Sequence, residues 1–359
     1  MVDVEAELRR TFQRHEHLVV DPAALRPAID AAASRRRVHR RVLAASGLAV
    51  LVLVALAIPT GIRAWSGHPA ALLPLASSNP APLKGRPLNF LIAGLDDSSL
   101  VGSTSDHVDT VIVAHVPADR SRLYLITIPR DTWVDDGSGK QLKLDDTYST
   151  GGFPELARAV GAMTGLTFDG AATIGLSGLS RLTDAIGGVD FCVDFTVTST
   201  HTGQRFTAGC HHFTGAQATD YLRERRNFTN VPATDPAGPF GAIIRDRHQV
   251  DYLRAVLAKL TEDSTLTDAA KLARLLGTAG TGLVVDTHGV PPLTMATELR
   301  PAIHDVVGLA APFGTNVMHD GFIGWASPPE AGQLFIAVQT DQLASWLTTH
   351  PDVLDPGSK

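Results

Sequence analysis

The side chains best suited to chemistry crowd into one stretch, Leu88 to Asp131. Asp96 and Asp97 close a first apolar run, Leu88–Leu95. Asp106, His107 and Asp109 stand at the head of a second, Val108–Val116, and Arg130 and Asp131 follow a third, Leu123–Pro129. Carboxylates hold hard divalent cations through oxygen. A guanidinium offers phosphate oxygens a planar fork that lysine lacks. Gathered in one place, these groups point to a site for an anionic ligand, with a metal alongside. Each run is short, rich in Val, Ile and Leu, and bounded by Gly, Ser, Pro or Asp, as buried strands are. If the outer two runs are parallel and the middle one antiparallel, all of the polar groups reach one sheet edge.

The rest of the chain bounds what such a site serves. It has 359 residues and 44% hydrophobic content, enough to bury a sizeable core, and its net charge of −6 argues against general nucleic-acid binding. No Walker loop or dinucleotide fingerprint is present, and GLSGLS at Gly175–Ser180 does not fit a serine nucleophile elbow. Residues 1–41 are polar and end in Arg35, Arg36, Arg37, Arg40 and Arg41. The uncharged run Val42–Ile62 follows, roughly 20 residues and about 30 Å as a helix, long enough for one membrane span. The arginine block predicts a cytoplasmic tail over 1–41 and an extracytoplasmic remainder. Residues 63–86 are Pro-rich and read as a linker, 87–351 as one domain, and 352–359 as a disordered tail. In that oxidising compartment Cys192 and Cys210 are free to form one bridge.

Periodicity predicts helices over Pro154–Leu166, around Leu179, Leu182 and Ile186, and over Thr214–Arg225 with Thr214 as N-cap. Further helices are expected over Ile243–Leu260, Thr265–Leu276, Thr294–Leu309 and Asp341–Thr348. Strands are expected at Ala171–Leu176, Gly282–Val285, Phe322–Trp325 and Leu334–Val338. A hairpin from Val189 to His212 turns at Thr202-Gly203, where a Cys192–Cys210 bridge would staple it. The fold class is α/β: a central mixed sheet flanked by helices, preceded by one transmembrane helix. The apolar faces carrying Leu156, Leu179 and Leu182 suit either plain core or a lipid tunnel.

Seven segments occur in one order: NFLIAGLDD, HVDTVIVAHV, ITIPRDT, KLDDTYSTGG, LTDAIGGVDFCV, GAQATDYLRER and IRDRHQV. Together they resemble the LytR-CpsA-Psr family of bacterial envelope proteins, in an actinobacterial-type form. The resemblance runs from Leu88 to about Leu260 and weakens beyond. It implies an α-β-α domain that moves a glycopolymer from a polyprenyl-pyrophosphate carrier to peptidoglycan, with Mg2+ (or Mn2+). By motif position it assigns Asp96 and Asp109 to the metal and makes both, with Arg130, catalytic. Arg130, Arg223, Arg225, Arg245 and Lys143 match its pyrophosphate-binding positions, Arg247 being the other candidate for the place given to Arg245. Arg223 and Arg225 can face one ligand only if their helix has already begun to unwind.

The chain departs from the family's pattern at Asp97 and His107, where many members carry arginine, and at Asp145, where the motif has asparagine. The lost arginines leave open a non-catalytic lipid-binding or regulatory module, and a pyrophosphatase differs only in its acceptor. His107 matches a partial stand-in for arginine below about pH 6.5 or a metal ligand. No carboxylate is singled out as general base.

Overall fold

A computed structural model describes residues 83–96, 107–232, 241–262, 268–290, 292–319 and 321–355. The three apolar runs are strands: β1 (Leu88–Asp96), β2 (His107–Val116) and β3 (Leu123–Ile128). A short ribbon, β4 (Trp133–Asp135) and β5 (Gln141–Lys143), leads into α1 (Leu144–Thr164). Next come β6 (Gly170–Gly175), α2 (Leu176–Ala185) and β7 (Val189–Val193). After β8 (Thr196–Thr198), β9 (Arg205–Phe206) and β10 (Gly209–Phe213) come α3 (Gly215–Leu222) and β11 (Phe228–Thr229). The helices α4 (Gly241–Glu262) and α5 (Ala269–Ala279) precede β12 (Leu283–Asp286) and α6 (Pro292–Leu299). The described chain closes with β13 (Val306–Ala310), β14 (Asn316–His319), β15 (Phe322–Trp325), α7 (Pro329–Gln339) and α8 (Leu343–Leu347).

Six strands form the main sheet, in the order β12-β6-β1-β2-β3-β13. β2 runs antiparallel to both β1 and β3, while β6 is parallel to β1 and β13 to β3. The ends of β1 and β3 and the start of β2 therefore share one edge, as the spacing of the polar groups required. The sheet is covered on both faces, which is why its strands read as continuous apolar runs. Ile92, Ile112 and Leu125 face a core shared with α2, α3, α4, α5 and α6. Leu91, Val113 and Ile126 face a second core with α1, α7 and α8.

Four sequence expectations need correction. The helix expected over Thr294–Leu309 stops at Leu299, and Val306–Ala310 is the edge strand β13 beside β3. Pro301 interrupts the helix, and a Cβ at Gly308 would press on Val250 and Asp355, so the strand closes tightly over α4. Leu334–Val338 is helix, not strand, because Ala331, Leu334, Phe335 and Val338 turn one buried face at helical spacing. The packed chain also extends past Pro351: Leu354 bridges Leu309, and Asp355 is buried. The helix expected from Pro154 begins ten residues earlier, at Leu144, and kinks at Gly152 (φ 67°) just before Pro154. The expected membrane span, Val42–Ile62, lies outside the described residues; among those described, no helix is long and apolar enough to cross a membrane.

Cys192 and Cys210 face each other across the β7–β10 ladder and are bonded. Such a link stabilises chiefly by restricting the unfolded chain. Replacing both cysteines by serine should therefore lower unfolding free energy by about 3 kcal/mol, the scale for a loop of this size. Urea midpoints of the two proteins would show it, and a change below about 1 kcal/mol would mean the ladder alone holds the hairpin.

Candidate active site at the sheet edge

The edge is shaped by an irregularity in β2. Register along β1 and β2 passes from Gly94↔Thr110 to Leu95↔Val108, so Asp109 is an extra residue, a bulge. Bulges re-aim side chains, and they recur beside active sites. Here the bulge returns Val108 to the second core while Thr110 and Asp109 line a cavity on the opposite face.

Three elements meet at the Asp109 carboxylate. Arg130, just past β3, donates from Nη1 to Asp109 Oδ1. Arg245, in the first turns of α4, brings Nη1 to 3.2 Å from the same oxygen and donates from Nη2 to the Asp109 carbonyl at 2.6 Å. Only 1% of the Arg245 side chain is exposed, and Asp246 takes a second share of its charge, Oδ1 lying 2.9 Å from Nη2. Arg247 instead pairs with Asp194 at 3.1 Å and lies over the Phe195 ring. Of the two candidates, Arg245 is the one at this edge.

The remaining predicted residues lie around this centre. Lys143 Nζ is 3.0 Å from Asp131 Oδ1. The Arg130 Nε sits between Asp131 (3.8 Å) and Asp145 (3.9 Å). Helix α3 ends at Leu222, so Arg223 is its C-cap and reaches to 4.0 Å from Asp96. Arg225 is exposed beyond it. Partial desolvation first, then repulsion from Arg245 and Arg130, lowers its guanidinium below the ordinary value. A Cβ at Gly241 would collide with the Arg225 carbonyl, so glycine lets α4 start against this segment. Asp97 and Asp106 lie outside the described residues, and of His107 only the backbone is described.

Backbone bonds fix the Arg130 turn. Thr132 N–H donates to the Pro129 carbonyl, Leu144 N–H to Thr132 and Asp145 N–H to Arg130, so the N-terminus of α1 holds the turn from below. Gln249 supplies a second clamp. It accepts from the Thr110 hydroxyl and donates to the Leu222 carbonyl at 3.0 Å, tying the bulge in β2 to the end of α3. Asp246 was not singled out by sequence. Its one signal was adjacency to an arginine at the start of a helix.

Behind these charges lies an apolar cavity of about 770 Å³ counted to its open mouth. It runs between the sheet and α2 and α4, with Ile112, Leu179, Leu182 and Val256 on its walls and Asp109 and Arg223 also on its lining. Leu179 and Leu182 thus line a cavity, whereas Leu156 belongs to the second core.

The donor set bears on the metal. Asp96 and Asp109 sit on neighbouring strands, and among the described residues no group of three or more His, Cys, Asp or Glu side chains could cage an ion. Two carboxylates suit magnesium only when phosphate oxygens and water complete its shell. With Asp109 Oδ1 already held by Arg130 and Arg245, a cation here would have to take most of its shell from a phosphorylated ligand and water.

The site thus joins an arginine–carboxylate edge to an apolar cavity within a three-layer α/β domain. The chain belongs to the LytR_cpsA_psr family, whose model matches residues 74–305. It is 29% identical over 222 residues to the cell wall biosynthesis protein LcpA of Corynebacterium glutamicum, covering 55% of this chain and 41% of that protein. It is 28% identical over 184 residues to the polyisoprenyl-teichoic acid–peptidoglycan teichoic acid transferase TagU of Bacillus mycoides, covering 51% and 56%. The chain thus spans about half the length of these curated relatives. Among solved structures, TagV of B. subtilis shares the fold, with a TM-score of 0.56 at 20% identity over 72% of this chain and 98% of that one.

Asp145 carries a pH signature. Burial pushes its carboxyl up to about 6; Arg130 opposes the shift, and Asp131 and Asp146 add to it. A carboxyl raised on folding favours the fold below its unfolded value, and that contribution is lost as pH rises through about 6. Asp145→Asn should therefore stabilise the fold by about 1–3 kcal/mol at pH 8, with the gain gone near pH 4. Denaturant titrations at both pH values would reveal it; an equal gain at both would assign the effect to packing rather than ionisation.

Proposed function

We propose that this protein is a membrane-anchored phosphotransferase that moves a phospho-glycan from a polyprenyl-pyrophosphate carrier to a peptidoglycan hydroxyl. The observation that carries the reading is the Asp109–Arg130–Arg245 cluster at an apolar cavity, a head site joined to a tail site. The names of LcpA and TagU, which refer to cell wall biosynthesis and to teichoic acid transfer onto peptidoglycan, support the same class of reaction. Residues 42–62 would anchor the chain with its N-terminus in the cytoplasm, leaving the domain outside.

In this reading the cavity takes the first part of the prenyl tail. Arg130, Arg223 and Arg225, with Lys143, neutralise the pyrophosphate, and Arg245 fixes Asp109 in place. The acceptor oxygen forms a bond to the phosphorus that carries the glycan. The bond from that phosphorus to the bridging oxygen breaks, polyprenyl phosphate leaves, and the hydroxyl proton passes to a base or to water. In-line alignment and charge neutralisation are the main demands of such a transfer. Asp96 and Asp109 would hold magnesium, which would supply further charge neutralisation when bound.

Polyprenyl phosphate release is the first test. With full-length protein in detergent, lipid-linked glycan, magnesium and peptidoglycan strands, Arg130→Ala and Asp109→Asn should each slow release by about 10²–10³-fold. Full activity in both variants would remove the site assignment. Release that proceeds equally without strands would make water the acceptor, and no release from the unaltered protein would favour a binding module.

The cavity gives a separate test. Leu179→Trp fills it from the α2 side without touching a charge. Polyprenyl phosphate should raise the melting temperature of the unaltered protein and leave that of Leu179→Trp unchanged. An equal shift in both would place the tail elsewhere.

A further inference from the structure

Among the described residues, three of the large apolar side chains most exposed to solvent fall in one hairpin. Met318 is 65% exposed, Phe322 66% and Ile323 54%. They belong to β14 and β15, which pair with each other and, at Trp325, with Thr132; Met318 and Ile323 share one face of the ribbon and Phe322 lies on the other. The family model ends at residue 305, so this ribbon is outside it.

The ribbon is joined to the site. Trp325 N–H donates to the Asp131 carbonyl at 2.9 Å, and Thr132 bridges Trp325. Trp133 Nε1 donates to the Val317 carbonyl, and its indole packs edge-on against His319 at 4.8 Å. Trp325 packs against Phe313 at the base. The ribbon is therefore fixed to the turn that holds Arg130, with the Trp133 ring beside its turn and Trp325 at its base.

We infer that Met318, Phe322 and Ile323 insert into the acyl-chain region of the membrane surface and set the mouth of the site at the bilayer. This rests on the proposed function, because the lipid-linked donor is what puts a bilayer beside Arg130. Three features favour a bilayer over a glycan strand or a partner protein. The exposed groups include two aliphatic chains, which offer no ring face to a sugar. From Phe313 to Ala326 there is no Lys or Arg and the one charged residue is Asp320, between the two strands, so no basic patch draws the ribbon to anionic headgroups and attachment rests on the apolar side chains. Indoles flank the ribbon, Trp133 against His319 and Trp325 at the base, and indole is a side chain preferred at a membrane interface.

Chain length permits it. The linker 63–86 enters at the start of β1, the edge opposite the site. The nine residues of β1 span about 30 Å. Leu83 and Arg86 are held on the domain by Arg120 and Asp169, so about 20 residues, 63–82, remain, with a maximum reach of roughly 65 Å, enough to bring the far edge round to the membrane. A tether of that length also holds the ribbon at about millimolar effective concentration, so three side chains suffice for engagement.

The test labels the ribbon in the full-length protein, reconstituted in phosphatidylcholine vesicles. Cys192 and Cys210 are bonded to each other, so Phe322→Cys carries the one thiol available to a polarity-sensitive fluorophore. Its emission should shift to the blue and be quenched by brominated acyl chains, with no change at high salt. A label at Ser345→Cys, on exposed α8, should stay water-like and unquenched. A water-like label at position 322 overturns the inference. So does a blue shift without quenching, which would mean that another part of the chain covers the ribbon, or a shift that appears only when peptidoglycan strands are added. Because the readout is not catalytic, it stands or falls separately from phosphotransfer. As a second measurement, Met318→Asp with Phe322→Asp should raise KM for donor in vesicles at least tenfold and leave KM for donor in detergent unchanged. An equal change in both would overturn the inference.

Discussion

The site depends on one shared carboxylate. Asp109 accepts Arg130 from the end of β3 and Arg245 from α4 on a single oxygen, Oδ1. Arg245 is almost wholly buried, and an unpaired guanidinium there would cost several kcal/mol. Asp109 and Asp246 together make that burial tolerable, and the pairing fixes the position of each element. β2 cannot slide, because its bulge residue is held from two sides. α4 cannot turn, because its arginine reaches both the side chain and the carbonyl of Asp109. Removing Asp109 would therefore leave two cations facing each other, which is a structural loss as well as a chemical one.

Charge balance limits what the edge can bind unaided. Arg130, Lys143, Arg223, Arg225 and Arg245 face Asp96, Asp109, Asp131, Asp145 and Asp246, so the cluster is close to neutral by itself. On the proposed function, a pyrophosphate would add negative charge to a site with no surplus cation among these groups. Two routes can compensate: a divalent cation at Asp96 and Asp109, or a proton on Asp145, whose carboxyl is already raised to about 6. Where the family motif has a neutral amide, this chain has that extra carboxyl, and where many members have arginine it has Asp97 and His107. All three departures shift the balance the same way, toward negative charge.

How much was legible in the sequence follows from the range of the interactions involved. Strands β1 to β3 announced themselves because both faces are buried and their polar ends are local. The Thr214 cap was likewise written within a few residues of where it acts, although the helix expected to run to Arg225 stops at Leu222, and the paired cysteines lie on one hairpin. What failed was non-local. Val306–Ala310 is a strand because β3, almost two hundred residues earlier, offers an open edge. The apolar run Leu334–Val338 fits either period alone, and only the second core selects the helix. Arg245 and Arg247 could not be told apart, because their difference is a rotation of α4 toward the bulge or toward Asp194, and neither neighbour is near in sequence.

The same non-locality bears on where the functional unit ends. The family model stops at residue 305, yet Trp325 and Val317 each take part in a hydrogen bond with the turn segment Asp131–Trp133. β13 closes the sheet on the β3 side, and Asp355 donates its backbone N–H to Gly308. A catalytic turn gains precision from the packing behind it, since small displacements of a positioned group are costly for transfer chemistry. Residues 306–355 therefore belong to the site mechanically even though none of them carries its charge, and a chain cut at 305 would lose the backing of Arg130 before it lost any predicted site residue.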